Sequence, residues 1–429
     1  MHEIVNEKLI KMRKNLLALL LMMATLQLSA QSFYVCSEGN VETASELSFS
    51  DNGTTLNGRL SMSAIDSITV QVPDLRFVGG DLSMLPRYEA KNVRYYDKDG
   101  QRISDVLDFL KEQGWNAVRV RLFVDPSKAP AAHKGEGVCQ DLEYVKTLGK
   151  RIKEKGLLFM LDFHYSDTWA DPSKQWTPTD WLSLSDEQLK EKIYEYTKEC
   201  LQQLNGAGAS PDFIQTGNEI SYGMLWGADG DAAAKSRNFC SSGSSASSWK
   251  RFTDLLKQAG KACREVCPRA KIIIHTERVP NVNYLSTIYT KMKDAEVDYD
   301  IIGLSYYSYY HGDLSKLNTA LTQLENKFPN KKIMIVEAGY YHAWQPTEID
   351  YDLSATYPIN AEGQRKFAAA LVDKLKTHMN VDGLFWWWPE ANEKGHTGEQ
   401  VTKDWYNAGL FDNSTGYALP ALYELKNFK

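Results

Sequence analysis

Two glutamates stand where chemistry could be done. Glu219 lies near the end of Asp212-Phe213-Ile214-Gln215-Thr216-Gly217-Asn218-Glu219-Ile220, and Glu337 in Lys332-Ile333-Met334-Ile335-Val336-Glu337-Ala338-Gly339. Each follows an apolar run that reads as a buried strand. A carboxylate at the C-terminal end of a strand sits where parallel α/β folds gather their reactive groups. One such Glu could equally cap a strand or start a helix. Two of them, 118 residues apart (337 − 219), leave room for three strand–helix units of about 40 residues each, which puts both at one rim of a barrel. Two carboxyls across a gap suit a glycosidic bond: one protonates the leaving oxygen and the other attacks the anomeric carbon. Glu219 must then keep its proton, and Glu337 must stay ionised. Asn218, next to Glu219, is placed to bind a sugar 2-hydroxyl.

Other strand ends add polar and aromatic groups. In Val118-Arg119-Val120-Arg121-Leu122, alternation sends Arg119 and Arg121 the same way, into the barrel. Buried arginines need acceptors. They either pair within the core or hold a nucleophilic carboxylate ionised. Strand three runs into Asp162-Phe163-His164-Tyr165-Ser166-Asp167-Thr168-Trp169-Ala170-Asp171-Pro172, a set able to hydrogen-bond hydroxyls and stack on a sugar ring. Strand six ends in Ser305-Tyr306-Tyr307-Ser308-Tyr309-Tyr310-His311, mostly scaffold, with one tyrosine able to bond Glu337. Strand eight ends in Trp386-Trp387-Trp388-Pro389-Glu390; alternation predicts Trp387 on one side and both neighbours on the other.

These positions require an alternating scaffold. Eight strands are expected: Phe77–Asp81, Ala117–Phe123, Leu157–Phe163, Phe213–Gly217, Lys271–His275, Ile301–Ser305, Ile333–Val336 and Gly383–Trp387. Each except the first follows an amphipathic helical pattern, and Gly114 and Gly156 stop the helices before strands two and three. Eight β/α units over about 350 residues make an α/β fold of the (β/α)8 TIM-barrel type with enlarged loops. A doubly wound open sheet is the alternative. It would want a glycine-rich phosphate turn after strand one, which Gly79-Gly80-Asp81 does not supply. The long loops follow strands three, four, seven and eight, all on the C-terminal side.

Ahead of the barrel, residues 1–30 read as a signal peptide: Lys11-Met12-Arg13-Lys14, an apolar run from Leu16 to Leu28, then Leu-Ser-Ala-Gln. This predicts an exported protein, in the periplasm, at the cell surface or outside the cell, with no membrane span in the mature chain. Residues 31–75 read as a small β appendage or linker, and residues 76–429 as the barrel. The net charge of −6 and the absence of a basic stripe exclude a nucleic-acid footprint. Eleven Trp and 23 Tyr exceed what a core alone needs and suit sugar rings. The six Cys have neither zinc spacing nor a disulfide framework, so buried thiols are expected.

These strand ends resemble clan A of the glycoside hydrolases, in which an Asn-Glu after strand four is the acid/base and a Glu after strand seven the nucleophile. Gly80-Asp81-Leu82-Ser83, Val118-Arg119-Val120-Arg121, Leu161 to Pro172 and Gly409-Leu410-Phe411-Asp412 narrow the resemblance to family 53, the endo-β-1,4-galactanases, from about Phe77 to Leu422. The resemblance implies retaining hydrolysis of β-1,4-galactan, a pectin side chain, with galactan and galacto-oligosaccharides as partners; a monomer is expected, though the sequence itself leaves the oligomeric state open. Glu219 would be acid/base and Glu337 nucleophile. Arg121, His164, Asn218, His275, Tyr307 and Trp387 would line the central subsite, with Asp81, Arg119, Asp167 and Trp169 completing the substrate-binding set. No cofactor is implied for the chemistry. Some relatives carry a structural calcium, whose ligands do not map onto this sequence. The chain departs from the family twice. Trp387-Trp388-Pro389-Glu390 replaces Trp-Glu-Pro, and Thr276-Glu277-Arg278-Val279-Pro280-Asn281 replaces a glycine-rich loop. A non-catalytic glycan-binding barrel, or a clan A hydrolase of another glycan such as mannan, are the competing readings.

Overall fold

The strands of this chain carry two kinds of inward residue, and that difference builds the molecule. Near their starts, the inward positions are apolar: Ala117, Met160, Phe213, Ile273, Ile301, Met334 and Phe385 pack together, with Phe77 and Leu158 against them. Near their ends, the same faces turn polar: Asp81, Arg119, Asp162, Gln215, His275 and Ser305 are all buried. A side-chain period of two carries each strand from one layer into the other. The lower barrel is thus a dry plug and the upper barrel a polar floor.

The computed structural model describes residues 76–398 and 407–429 in full, with backbone strands alone between residues 33 and 69. Eight parallel strands close the barrel in sequence order, the last pairing with the first. They are β1 (Phe77–Asp81), β2 (Ala117–Leu122), β3 (Leu158–Phe163), β4 (Phe213–Gln215), β5 (Lys271–Thr276), β6 (Ile301–Tyr307), β7 (Lys332–Gly339) and β8 (Val381–Trp386). All eight expected strands form, in a closed ring and not an open sheet. β4 stops two residues early because Gly217 turns to a φ of 121°.

Helices follow each strand: α1 (Val106–Glu112), α2 (Leu142–Glu154), α3 (Asp186–Gly206), α4 (Ala246–Val266), α5 (Val282–Asp294), α6 (Leu314–Lys327), α7 (Ala361–Lys376) and the short α8 (Pro420–Glu424). Their starts are written in the sequence. Asp105, Asp141, Ser185, Ser245, Asn281, Asp313 and Asn360 each accept a first-turn backbone N–H at the start of α1 to α7. Their apolar stripes join the outward strand residues, such as Val118, Leu161, Ile272 and Leu384, in one outer core.

One irregularity matters for chemistry. Leu304 of β6 pairs with Ile335 of β7, but the next residue, Ser305, pairs with Glu337. β7 therefore holds one surplus residue, Val336, and the same slip recurs against β8. Met334 and Val336 both join the inner plug. Strict alternation would then send Glu337 outward to the helices. The bulge re-aims it inward, as bulges near active sites do.

The chain divides into units of residues 1–75 and 76–429. In the first, antiparallel strands form at Phe33–Ser37, Asn40–Ala44 and Ile65–Thr69. The signal-peptide reading of residues 1–30 and the side chains of residues 31–75 lie outside the described residues. Cys139, Cys200, Cys240, Cys263 and Cys267 are free thiols, and all but Cys139 are buried.

Candidate active site

Arg119 organises the polar floor. Its Nη1 donates to Asp81 at 2.8 Å, its Nη2 to Asp162 at 2.8 Å and Asn218 at 2.9 Å, and its Nε to Gln215 at 2.8 Å. A further ion pair joins Nη2 to Glu337 at 2.9 Å. Five elements of the rim thus meet at one guanidinium with no solvent-exposed surface. A rigid planar fork of donors is the group suited to this. Asp81 also accepts from Arg121 at 2.9 Å. Both readings of the arginines hold together: they pair within the core, and one of those pairs is with Glu337. Asp81, Arg119, Arg121 and His275 are 0–1% exposed. They support the site from beneath, where the sequence suggested direct substrate contact.

Glu337 has two anchors. Arg119 is one, and the Tyr307 hydroxyl donates to its Oε2 at 2.8 Å. Tyr307 is the strand-six tyrosine that bonds Glu337. Tyr306 instead donates to the Gly312 carbonyl, and Tyr309 packs on Tyr341. Burial raises the Glu337 carboxyl above its usual value, while Arg119 and Tyr307 pull it back towards the anion.

Glu219 is treated differently. Its backbone is left-handed, with φ 47° and ψ 49°, at the start of the turn Ile220–Tyr222. For a residue with a Cβ this costs roughly 1–2 kcal/mol. Burial, then the charge of Glu337, then that of Glu277 raise its carboxyl well above the usual range. It forms no ion pair among the described residues, and it is partly exposed. Two neighbouring carboxyls cannot both ionise easily. Of the two, Glu337 has the cation that favours its anion, and Glu219 has none paired to it.

His275 links the two sides. Its Nδ1 lies 3.0 Å from both Gln215 Nε2 and Asn218 Oδ1 and 3.4 Å from the Glu219 backbone N, and its Nε2 lies 2.9 Å from Ser305 Oγ. Ser305 in turn bonds the Glu219 carboxyl. Burial keeps the ring neutral, its pKa pulled well below the ordinary value. Asn218 accepts from Arg119 and donates to the Ala170 carbonyl at 2.8 Å.

The β3 loop supplies the flank. His164 accepts the Ala170 N–H on Nδ1 at 3.0 Å and faces Asp162 with Nε2 at 3.1 Å. Burial, outweighing Asp162, lowers its pKa and leaves it neutral. Asp167 accepts the Thr179 N–H at 2.8 Å. One of its oxygens therefore clasps the loop. Trp169, Trp387 and Trp388 surround the Arg121 guanidinium at 4.6, 5.3 and 5.0 Å from the ring centres. Cation–π pairs of this kind contribute about 0.5–2 kcal/mol each. Trp386 turns away and bonds the Ala408 carbonyl at 2.8 Å. Alternation is thus right for Trp386 and wrong for Trp388. β8 ends at Trp386, and Trp388 adopts a left-handed φ of 51° that swings it back beside Trp387.

Gln215, Ser305, Asp162 and Glu277 are site residues that sequence reasoning did not single out. A polar side chain at an inward position of an otherwise apolar strand was the signal for the first three. Glu277 follows β5 directly and is 2% exposed. Among the described residues, no group of three His, Cys, Asp or Glu is arranged to hold a metal ion. No helix among them is long and apolar enough to cross a membrane.

Residues 77–425 match the model of glycosyl hydrolase family 53. An endo-β-1,4-galactanase of Bacillus subtilis is 30% identical, over 72% of this chain and 69% of its own length. An arabinogalactan endo-β-1,4-galactanase of Cellvibrio japonicus is 27% identical, over 82% and 90%. The family 53 catalytic domain from Ignisphaera aggregans superposes with a TM-score of 0.70 at 31% identity, over 82% of this chain and 96% of that one. The closed barrel, the paired glutamates at its mouth and these likenesses agree: the chain is a glycoside hydrolase and belongs to family 53.

Proposed function

We propose that this protein is an exported, retaining endo-β-1,4-galactanase acting on the β-1,4-galactan side chains of pectin, arabinogalactan type I. The observation that carries the mechanism is the unequal setting of the two glutamates. Glu337 has a cation and a hydroxyl to hold it as an anion, while Glu219 has neighbouring negative charge and no ion-paired cation. In the first step, Glu337 attacks the anomeric carbon as Glu219 protonates the departing oxygen. Water then releases the sugar from Glu337, with Glu219 taking the water's proton. Asn218 binds the 2-hydroxyl, and Trp387 and Trp169 give the pyranose an apolar wall. The names of the family 53 relatives support the substrate class. The basic-then-apolar N-terminal stretch supports export.

Reducing-sugar release from linear galactan, mannan and β-glucan tests the substrate. Release from galactan alone is expected, with the β-anomer formed first by proton NMR. Activity on mannan or β-glucan instead would redirect the substrate class. Tight galactan binding with no product would make the barrel a lectin. Glu337→Ala should lose turnover by several orders of magnitude, because the covalent route is gone; near-normal turnover would refute the nucleophile.

A further inference from the structure

The turn that carries Glu219 is gripped from the neighbouring strand. Ser221 Oγ donates to Glu277 Oε1, and Arg278 Nε pairs with the same oxygen at 2.6 Å. Arg278 also donates to the Tyr222 hydroxyl at 2.9 Å and lies over that ring at 5.0 Å. From below, the Tyr284 hydroxyl donates to the carbonyls of Ser221 and Cys240 at 2.5 and 2.9 Å. Ser221 and Tyr222 are the second and third residues after the left-handed Glu219, so these ties grip the turn close to it. Glu277 is buried, and its Oε2 has no hydrogen-bond partner among the described residues. A buried carboxylate with one idle oxygen is a costly way to fasten a serine. An amide or a second hydroxyl would hold the turn without introducing a charge.

We propose that Glu277, with Arg278, is a positioning residue for the reaction: it clasps the Glu219 turn and sets the charge that Glu219 faces. This rests on the reading of Glu219 as the acid. Glu219 is faced by Glu337 from β7, by Ser305, Tyr307 and Tyr310 from β6 and the segment after it, by Asp171 from the β3 loop, and by Glu277 and Arg278 from beyond β5. His275 touches only its backbone N–H. Within this set Arg278 is the cation facing the acid, and Glu277 is its counter-ion. Glu277 raises the Glu219 carboxyl and Arg278 opposes it, so removing either member shifts that carboxyl in a known direction.

The test is the alkaline limb of the kcat/KM profile, measured on whichever polysaccharide the wild type hydrolyses. Glu277→Gln keeps an acceptor for Ser221 but leaves Arg278 uncompensated, so Glu219 ionises sooner and the limb moves down by about one pH unit. Arg278→Gln removes the cation, and the limb moves up. Arg278 is partly exposed, so Glu277→Gln leaves its charge within reach of water, and the fold of both variants is checked by circular dichroism. Ser221→Ala loosens the clasp without changing charge; kcat falls while the limb stays. Glu219→Gln is the control, in which the limb disappears. A limb that survives in Glu219→Gln overturns the acid assignment itself. A limb lost there but unmoved in both Glu277→Gln and Arg278→Gln overturns the clasp alone.

Discussion

A single tyrosine hydroxyl shows how closely this site balances its charges. Tyr307 donates to the carboxylate of Glu337, which burial would otherwise push towards its neutral form. A hydrogen bond to a charged group contributes about 1.5–3 kcal/mol. Tyr307→Phe should therefore cut kcat by roughly ten- to a hundredfold. The sign of its pH effect follows too. The bond lowers the Glu337 pKa, so its loss raises it and moves the acid limb to higher pH; an acid limb that stays in place would remove Tyr307 from that role. At this scale the sequence was uneven. Glu219 and Glu337 stood out because acidic residues just past apolar runs are conspicuous. Gln215 and Ser305 did not, because uncharged polar residues inside strands are common, and only a three-dimensional network gives them a task. Asp167 stood out because its loop is dense in sugar-binding types, and the structure gives one of its oxygens a further task in accepting the Thr179 N–H.

Among the elements, the turn after β4 and the bulge in β7 decide where the reacting groups point. Gly217 holds a φ of 121°, and a Cβ there would lie 2.7 Å from Ile220 Cγ2. Gly217→Ala should cost about 1–3 kcal/mol of backbone strain and displace Glu219. The expected result is a kcat down tenfold or more with KM little changed, read by steady-state kinetics. Unchanged kcat would mean that the turn tolerates the strain without moving the acid. The eight strands were legible because apolar runs and helix-stopping glycines repeat along the chain. The bulge was not. Ile333, Met334, Ile335 and Val336 are interchangeable to any pattern of hydrophobicity, so nothing marks Val336 as the surplus residue. Likewise Trp386-Trp387-Trp388 gives no sign that the strand ends at its first member.

Over the whole molecule, buried groups that refuse their usual charge shape stability against pH. Glu219, Glu337, Glu277 and Glu390 have pKa values raised above the usual 4.5, mainly by burial. The folded chain holds those protons where the unfolded chain releases them, so stability is lost as pH rises from 4.5 through the raised values. His164, His275 and His311 are lowered below 6.5, again mainly by burial. Their contribution is complete above 6.5 and is lost as pH falls below it. The two slopes oppose each other between those pH values, and above 6.5 the carboxyls are opposed no longer and are joined at higher pH by the buried thiols. The Tm should therefore decline as pH rises from about 6.5. Glu390, fully buried with its Oε1 accepting the Met84 N–H at 3.0 Å, contributes to that decline from outside the reacting pair. Glu390→Gln, neutral at every pH, should flatten it in differential scanning fluorimetry; parallel curves for the two proteins would show that Glu390 is ionised in the folded chain.

The surplus residue of β7 has one more effect. Because Val336 breaks step with β6 and β8 at the same height, it has a partner in neither ladder. In heavy water, deuterium should enter the wall early there, beside Glu337. A sugar bound at the mouth should slow that labelling, which hydrogen-exchange mass spectrometry with and without oligosaccharide would read.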